Sequence, residues 1–292
     1  MVNFLYDLFS FAYQVGDAFA FLVLSACGLA IIFGMMGVIN LAHGEFILCG
    51  AYVCSWCTRS GLPLPLSILA GALVAGFIGM LIERVVIRPL YDRPLDTIVA
   101  TWGVSMIATQ GTLILLGSTM PGTGTPFGSF MVGPYSYSLY RLVLMAAAVA
   151  TLAGLWLAFT KTHFGILARS TIQVPHMAQA LGVNTGAVYS LTFGLGAALA
   201  GLAGGLYAPT MTLVPTMGSS AFVVEAFVTV VVGGGDVFLG TAPAAVVLGI
   251  VKAGLTSWQG QLAGQIGMLV AVIIVIRILP RGISGWILRE RD

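Results

Sequence analysis

Residues 161–189 read KTHFGILARSTIQVPHMAQALGVNTGAVY and form the longest polar interruption between two strongly apolar runs of the chain. Within them, Pro175–Leu181 is predicted to be a short helix, because proline is favoured in a first helical turn and Gly182 follows where a left-handed residue can end the helix. A helix this short is not stable alone in water, since nucleation is repaid only over about 12–15 residues. We therefore expect it to dock into a groove of another protein; the alternative is an ordinary cytoplasmic loop.

The composition indicates the class of protein. Of the 292 residues, 59% are hydrophobic and only 8% are charged, and the mean hydropathy is +1.03. Soluble domains carry about 25% charged residues, so this chain is predicted to be an integral membrane protein. A net charge of +2 is too small for a nucleic-acid-binding surface.

Apolar runs follow one another along the whole chain. They cover residues 18–38, 46–58, 66–83, 97–116, 140–160, 188–208, 221–233, 237–256 and 266–279. Several approach the roughly 20 residues that a helix needs to cross a bilayer, whereas 46–58 and 221–233 are too short. The pattern predicts an all-α integral membrane protein with about eight or nine transmembrane or partly re-entrant helices in a single domain, residues 1–292.

The distribution of cations predicts the orientation of the chain. Basic residues cluster in three segments, namely Arg84, Arg88 and Arg93; Lys161 and Arg169; and Arg281, Arg289 and Arg291. The loops at 117–139 and 209–220 carry no charge and are expected to lie outside, because basic loops stay in the cytoplasm. Asp7 and Asp17 are then outside if both short runs cross, while Arg59 and Lys252 do not fit this arrangement.

Two stripes of small residues recur at a spacing of four. They are Gly71, Ala75 and Gly79, and Ala197, Gly201 and Gly205. Small residues at this spacing allow helix backbones to approach closely within lipid. We expect close helix packing along both stripes; simple tolerance of glycine in membrane helices is the alternative.

The two short runs share a composition. Gly34–Tyr52 and Val224–Ala245 are both apolar segments interrupted by glycines and by polar residues, and they fall in opposite halves of the chain. Paired interruptions of this kind are typical of broken helices near the membrane midplane in an inverted repeat. Irregular backbone at that depth is tolerated only where protein or a wet cavity surrounds it.

Polar residues at these interruptions are candidate functional groups. Asn40, His43 and Glu45 lie in the first, and Glu225 and Asp236 lie in the second. Ionisable groups within a membrane are costly and usually face a pathway or a partner. The structural alternative is that Glu45 caps a helix, that His43 satisfies a free carbonyl and that Asp236 marks a turn.

Motifs for metal or nucleotide binding were not found in the sequence. There is no HExxH pattern, and neither Lys161-Thr162 nor Gly233–Gly235 completes a GxxxxGK[ST] phosphate loop. Transport against a gradient would therefore draw its energy from ions or from another chain, and the docking helix favours another chain.

Four longer motifs resemble a known family. They are GLAIIFGMMGVINLAHGEFILCGAY (28–52), MAQALGVNTGAVYSLTFGLGAALAGLAGGL (177–206), VVVGGGDVFLGTAPAAVVLGI (230–250) and LPRGISG (279–285). Together they are similar to permease subunits of ABC importers of the branched-chain amino acid and urea/short-chain amide family. The resemblance spans nearly the whole chain.

The resemblance implies an assembly in the bacterial inner membrane. It contains a second permease subunit, which is expected to be a related but different chain, two cytoplasmic ABC ATPases and a periplasmic solute-binding protein. ATP and Mg are bound by the ATPases, so this chain is expected to carry no cofactor and not to be an enzyme. The chain is then a multi-pass protein with a cytoplasmic C-terminus.

The resemblance also assigns residues to ATPase coupling. The loop 161–187 is the cytoplasmic coupling loop, and its coupling residues are Val174, Pro175, His176, Met177, Ala180, Leu181 and Gly182. At Val174–His176 the chain departs from relatives, which often carry polar or acidic residues there.

The substrate is predicted from RPLDTIVATWGVS (93–105) together with Tyr140-Arg141, which look more like the urea and short-chain amide branch. A zwitterionic amino acid would require a fixed cation or a helix N-terminus for its carboxylate, and the sequence shows no clear midplane Arg or Lys. The neutral groups of Asn40, Thr101, Ser105 and Gln110 could serve urea, with Trp102 as a flat wall. Urea or an amide is the predicted substrate, and branched-chain amino acids are the alternative.

The predicted substrate pathway, used by alternating access, is Asn40, His43, Glu45, Thr101, Trp102, Ser105 and Glu225. An ion-coupled carrier or channel that uses Glu45 and Glu225 is a rival of a different class. An intramembrane enzyme that uses His43 and Glu45 is a second rival, but the sequence offers it no paired nucleophile or metal set.

Overall fold

A computed structural model describes residues 2–234 and 237–289. The helices are α1 (Val2–Met36), α2 (His43–Arg59), α3 (Leu64–Ile82), α4 (Pro94–Leu116), α5 (Leu139–Lys161), α6 (His163–Gln173), α7 (Pro175–Ala180), α8 (Thr185–Tyr207), α9 (Val223–Gly233), α10 (Ala242–Gln259), α11 (Gln261–Ile278) and α12 (Gly282–Arg289). Strands β1 (Ser129–Val132) and β2 (Tyr135–Ser138) form an antiparallel hairpin in which Ser129 pairs with Ser138. The hairpin was not anticipated, but the all-α prediction is otherwise confirmed.

Wider or tighter helical turns adjoin four of these helices, including the 3₁₀ turn Ala208–Thr210 that continues α8. A π-helical turn, Glu83–Ile87, and a 3₁₀ turn, Arg88–Leu90, continue α3. Other π-helical turns, Gly218–Phe222 and Val237–Thr241, lead into α9 and α10.

Seven helices are long and apolar enough to cross a membrane, namely α1, α3, α4, α5, α8, α10 and α11, by length and composition. Two shorter helices join them in the described part of the chain: α2, with 17 residues, and the segment Gly218–Gly233. The prediction of eight or nine crossing or partly re-entrant helices is therefore confirmed.

The predicted small-residue stripes lie against each other where α3 packs on α8. A side chain at Gly79 would overlap Ala197, and one at Gly201 would overlap Ala75. Gly50 of α2 approaches the same place, since a side chain there would overlap the backbone of Gly201. Close approach of α2, α3 and α8 is thus the physical reason for these glycines, as predicted.

The two loops predicted to lie outside meet at one end of the molecule. Met120 and Leu213 exchange two backbone hydrogen bonds of 2.9 and 2.8 Å. Arg59 donates to the Pro121 carbonyl at 2.5 Å, so this cation, which did not fit the charge pattern, lies at the same end. The Tyr135 hydroxyl donates to Asp7 at 3.2 Å, which places the beginning of α1 there too.

The opposite end gathers the basic segments. Glu83, in the π-helical turn after α3, accepts hydrogen bonds from the hydroxyls of Tyr91 and Ser190. Burial raises the pKa of Tyr91, and its hydrogen bond to Glu83 raises it further. Arg88 lies against Gly186 at the start of α8, and Arg281 lies against Gly234. This sorting agrees with the predicted orientation.

The two short helices run in opposite directions from the interior. His43, at the start of α2, contacts the middle of α1, and α2 ends at Arg59 among the uncharged loops. The segment Gly218–Gly233 begins beside Glu45 and ends near Gly282 at the basic end. In addition α1 packs on α9 and α10, while α8 packs on α2 and α3. Helices of each half of the chain thus pack on helices of the other half, which is consistent with the predicted inverted repeat.

Candidate functional site

The starts of the two short helices meet inside the molecule. A side chain at Gly44 would overlap the carbonyl of Gly218, and one at Gly218 would overlap the Glu45 carboxylate. Only glycine allows backbones to approach this closely. Two helix N-termini, whose free N–H groups favour negative charge, therefore lie close to Glu45.

Glu45 is buried in the first turn of α2 and makes specific hydrogen bonds. Its Oε1 accepts from Ser105 Oγ at 3.0 Å and from Thr109 Oγ1 at 2.9 Å. Both donors belong to α4, sixty or more positions away in sequence. A carboxylate with two hydroxyl donors in the first turn of a helix has its charge partly compensated without a cation.

Helix α4 presents one polar face to this site. Its buried residues are Thr97, Thr101, Ser105 and Thr109, spaced by four so that they share one side of the helix. Leu41 N donates to Thr101 Oγ1 at 3.2 Å, which satisfies part of the irregular backbone between α1 and α2. The hydroxyl face of α4 thus supports both the interrupted backbone and Glu45.

Asn40 and His43 are buried, and their observed bonds are to the backbone. Asn40 Oδ1 accepts from Ala42 N at 3.0 Å. His43 Nε2 lies 2.9 Å from the Ser25 carbonyl, which requires the proton to be on Nε2. This geometry favours the structural alternative for His43, which satisfies a free carbonyl of α1.

Two residues assigned to urea binding lie elsewhere. Trp102 is 56% exposed, next to Thr101 in sequence but away from the hydroxyl face of α4. Gln110 is also exposed. Trp102 therefore points away from Glu45 within this chain, because consecutive helical positions differ in direction by about 100°. Its place on the pathway stays a prediction.

Glu225 belongs to a separate contact. Its Oε2 lies 2.6 Å from Lys252 Nζ, with side-chain exposures of 9% and 19% respectively. Lys252 also lies over the ring of Phe21, 5.3 Å from its centroid. The sequence predicted no cation at membrane depth, and Lys252 corrects that prediction. Lys252 fits the charge pattern of the loops poorly because it is paired with a buried carboxylate. Asp236 lies outside the described residues.

A cavity of about 290 Å³ opens between α2, α3 and α4. Glu45 and Tyr52 line it, as do apolar side chains that include Leu48, Ile78, Val104 and Leu116. The Tyr52 hydroxyl is buried and has no hydrogen-bond partner within the described ranges. The volume of the cavity lies near the lower limit for ligand pockets, roughly 300 Å³.

The predicted coupling residues form a compact exposed element. Helix α7 begins at Pro175, and Gly182 follows it with φ +83°, as the sequence predicted. Met177 is 60% and Leu181 79% exposed, and Val174 is exposed as well. Gln179 Nε2 donates to Thr185 Oγ1 at 2.8 Å, which ties α7 to the start of α8. His176 and Ala180 are exposed too.

Three contributors to the interior were missed at the level of sequence. Thr109 could have been found from its spacing of four after Ser105 on the predicted helix 97–116. The partnership of Lys252 with Glu225, and the place of Tyr52 in the cavity, depend on tertiary packing and have no local signal.

The chain is similar to known proteins over most of its length. The sequence model of the family described as branched-chain amino acid transport system / permease component matches residues 14–279. LivH of Salmonella typhimurium, a high-affinity branched-chain amino acid transport system permease protein, is 26% identical over 279 residues, covering 90% of each chain. BraD of Pseudomonas aeruginosa, with the same description, is 27% identical over 288 residues, covering 93% of this chain and 92% of BraD.

An archaeal protein is also similar. The probable branched-chain amino acid transport permease LivH of Methanocaldococcus jannaschii is 28% identical over 289 residues, covering 90% of this chain and 88% of that protein. No solved structure matches the chain.

Proposed function

Because this chain belongs to the family of branched-chain amino acid transport system permease components, we propose that it carries branched-chain amino acids through the membrane as part of an ABC importer. The observation that carries the proposal is the family match over residues 14–279. The permease relatives named above are all described as branched-chain amino acid transport proteins.

The amino-acid alternative is better supported than the urea or amide prediction. None of the relatives compared is described as a urea or amide permease. The chemical argument against a zwitterion was the absence of a cation at membrane depth; Lys252 is such a cation, but it is paired with Glu225 and lies apart from the Glu45 site. Helix N-termini near Glu45 are a further feature suited to a charged substrate.

The proposed partners are a second permease subunit, two ABC ATPases that bind ATP and Mg, and a periplasmic binding protein. This chain itself carries no cofactor in the proposal and lies in the inner membrane with a cytoplasmic C-terminus. The exposed apolar residues in α7 and at its two ends, Val174, Met177 and Leu181, support contact with an ATPase. A short apolar helix at a polar membrane face would otherwise expose these side chains to water.

A mechanical connection links α7 to the candidate site. Gln179 joins α7 to α8, and Ser190 of α8 bonds to Glu83 at the end of α3. Tyr91 bonds to the same carboxylate just before α4 begins. We propose that closure of the ATPases moves α7, and that these contacts carry the displacement to α4 and its hydroxyl face.

The docking role of α7 predicts a specific loss of assembly. Leu181→Asp places a charge in the exposed apolar surface, so we expect at least a tenfold weaker association with the ATPase while the permease stays folded. Met131→Asp is the matched control, because Met131 is 73% exposed on the hairpin at the opposite end. Copurification of the ATPase measures the effect, and equal ATPase recovery in both variants would contradict the role.

The substrate proposal is tested in the complete complex reconstituted in liposomes. ATP hydrolysis and uptake are measured with the binding protein supplied with leucine, urea or acetamide in turn. Stimulation and uptake with leucine alone are expected. Stimulation by urea or acetamide without leucine uptake would return the chain to the amide branch.

A further inference from the structure

We propose that the cavity between α2, α3 and α4 is a binding site for the transported amino acid, with its ammonium group on Glu45 and its branched side chain against the apolar wall. This inference rests on the proposed function and assigns the substrate a place within this chain. The site is transient in the transport cycle and distinct from the capture site of a binding protein.

The Glu45 carboxylate has one oxygen available for a cation. Its Oε1 accepts both hydroxyl hydrogen bonds from α4. In the described part of the chain its Oε2 receives no hydrogen bond, and the ion pairs found there are Arg93–Asp96, Arg141–Asp17 and Lys252–Glu225. Glu45 is therefore a buried carboxylate without a basic partner among these residues, and such a group is stabilised by any cation that reaches it.

Tyr52 is a second polar residue in the lining of the same cavity. The Tyr52 side chain is 6% exposed, and its hydroxyl is without a hydrogen-bond partner among the described residues. A buried hydroxyl that bonds to nothing is costly, so a small movement of the ring that lets the hydroxyl donate a hydrogen bond to an acceptor on a ligand would be favoured. The carboxylate of an amino acid is such an acceptor and lies one carbon from the ammonium.

The remaining wall selects the side chain of the ligand. Leu48, Val53, Ile78, Ile82 and Val104 form an apolar surface on three helices. Burial of a branched aliphatic side chain there is favourable by the hydrophobic effect, whereas urea would gain nothing from it. One carboxylate, one hydroxyl and an apolar wall match a small apolar amino acid.

The decisive substitution removes the charge of Glu45 and keeps its shape. Binding of radiolabelled leucine is measured on the purified complex of permeases and ATPases without the binding protein, which would itself bind leucine. Competition with 4-methylpentanoate, the leucine skeleton without its ammonium group, is measured in parallel. The wild-type complex should prefer leucine at least tenfold, and Glu45→Gln should lose this preference.

A second variant tests the cavity independently of Glu45. Ala108 lines the cavity from α4, so Ala108→Phe fills it and should weaken leucine binding at least tenfold. Met106→Phe, on the exposed side of the same helix, is the matched control and should bind leucine as the wild type does. Size-exclusion profiles verify folding of all three variants.

The possible outcomes separate the site from the proposed function. If the wild-type complex imports leucine while both Glu45→Gln and Ala108→Phe bind and select leucine normally, the site is refuted and the function stands. If the wild-type complex imports no leucine, the proposed function itself fails. Loss of binding in Ala108→Phe together with loss of selectivity in Glu45→Gln supports the site.

Discussion

At the scale of single residues, the charges within the membrane are the most informative feature. Lys252 and Glu225 are mostly buried and 2.6 Å apart, and the ring of Phe21 covers the ammonium group. Burying two charges is costly, and their attraction offsets that cost only while both are present. The pair therefore makes stability depend on the presence of both partners rather than on either alone.

We expect Lys252→Met to lower the free energy of unfolding by about 3–5 kcal/mol, because it leaves the Glu225 carboxylate buried and unpaired. The double variant Lys252→Met with Glu225→Gln should recover more than half of that loss, since no uncompensated charge remains. Denaturant titration in detergent micelles measures both values. A double variant no more stable than the single one would show that the ion pair is not the source of the effect.

At the scale of helices, close backbone approach fixes the arrangement around the candidate site. A side chain at Gly204 of α8 would overlap the carbonyl of Ile47 in α2. At Gly103 of α4, in contrast, nothing lies within 4 Å of an added Cβ. The same substitution at these two glycines therefore separates helix packing from helix propensity.

Gly204→Ala should lower the free energy of unfolding by about 1–3 kcal/mol, because α2 and α8 must move apart to admit the methyl group. Gly103→Ala should leave it unchanged or raise it by up to about 1 kcal/mol, since alanine is the better helix former. Unfolding midpoints in the same detergent provide the comparison. Equal midpoints for the two variants would mean that α2 and α8 do not pack as closely at Gly204 and Ile47 as the structure shows.

Elements that depend on local sequence could be predicted, whereas elements that depend on contacts between distant residues could not. The docking helix, the short runs and the small-residue stripes are encoded locally, by proline, glycine and hydrophobic spacing, and the structure has all of them. The hairpin at Ser129–Ser138 was missed although Tyr135–Ser138 alternates aromatic and polar residues after Gly133-Pro134. Each strand has only four residues, and the hairpin packs on the distant helix α1.

The candidate site was predicted only in part for the same reason. Glu45, Thr101 and Ser105 were named as polar residues within apolar runs, and the structure brings them together with Thr109. Trp102 was assigned to the pathway by its chemical type; within this chain it is exposed, whereas its neighbour Thr101 is buried on the hydroxyl face of α4. Contacts between residues 60 positions apart require knowledge of which helices are neighbours.

At the scale of the whole molecule, charge is sorted between two ends. The loops around Met120 and Leu213 meet at one end, and Arg88 and Arg281 lie at the other. Positive segments remain in the cytoplasm during insertion, so this sorting determines orientation.

We therefore expect opposite labelling of two cysteines introduced into a variant whose four native cysteines are replaced. Ser118→Cys, in an exposed loop at the uncharged end, should react with a membrane-impermeant maleimide in intact cells. Ser170→Cys, exposed on α6, should react only after permeabilisation. The reverse labelling pattern would mean that the topology is inverted and that α7 lies on the side of the membrane away from any cytoplasmic ATPase.

The packing of α1 has a consequence for biogenesis. This helix is synthesised before the other described helices, yet it packs mainly on α5, α8, α9 and α10. The hydroxyl of Tyr13 in α1 donates a hydrogen bond to the carbonyl of Ser138, 125 residues later. During synthesis α1 therefore lies in the bilayer before most of its packing partners have been made. The contact of its Ser25 carbonyl with His43 of α2 is one of the few that can form early. Truncated chains that end before α8 should consequently hold α1 loosely and be readily degraded by membrane proteases.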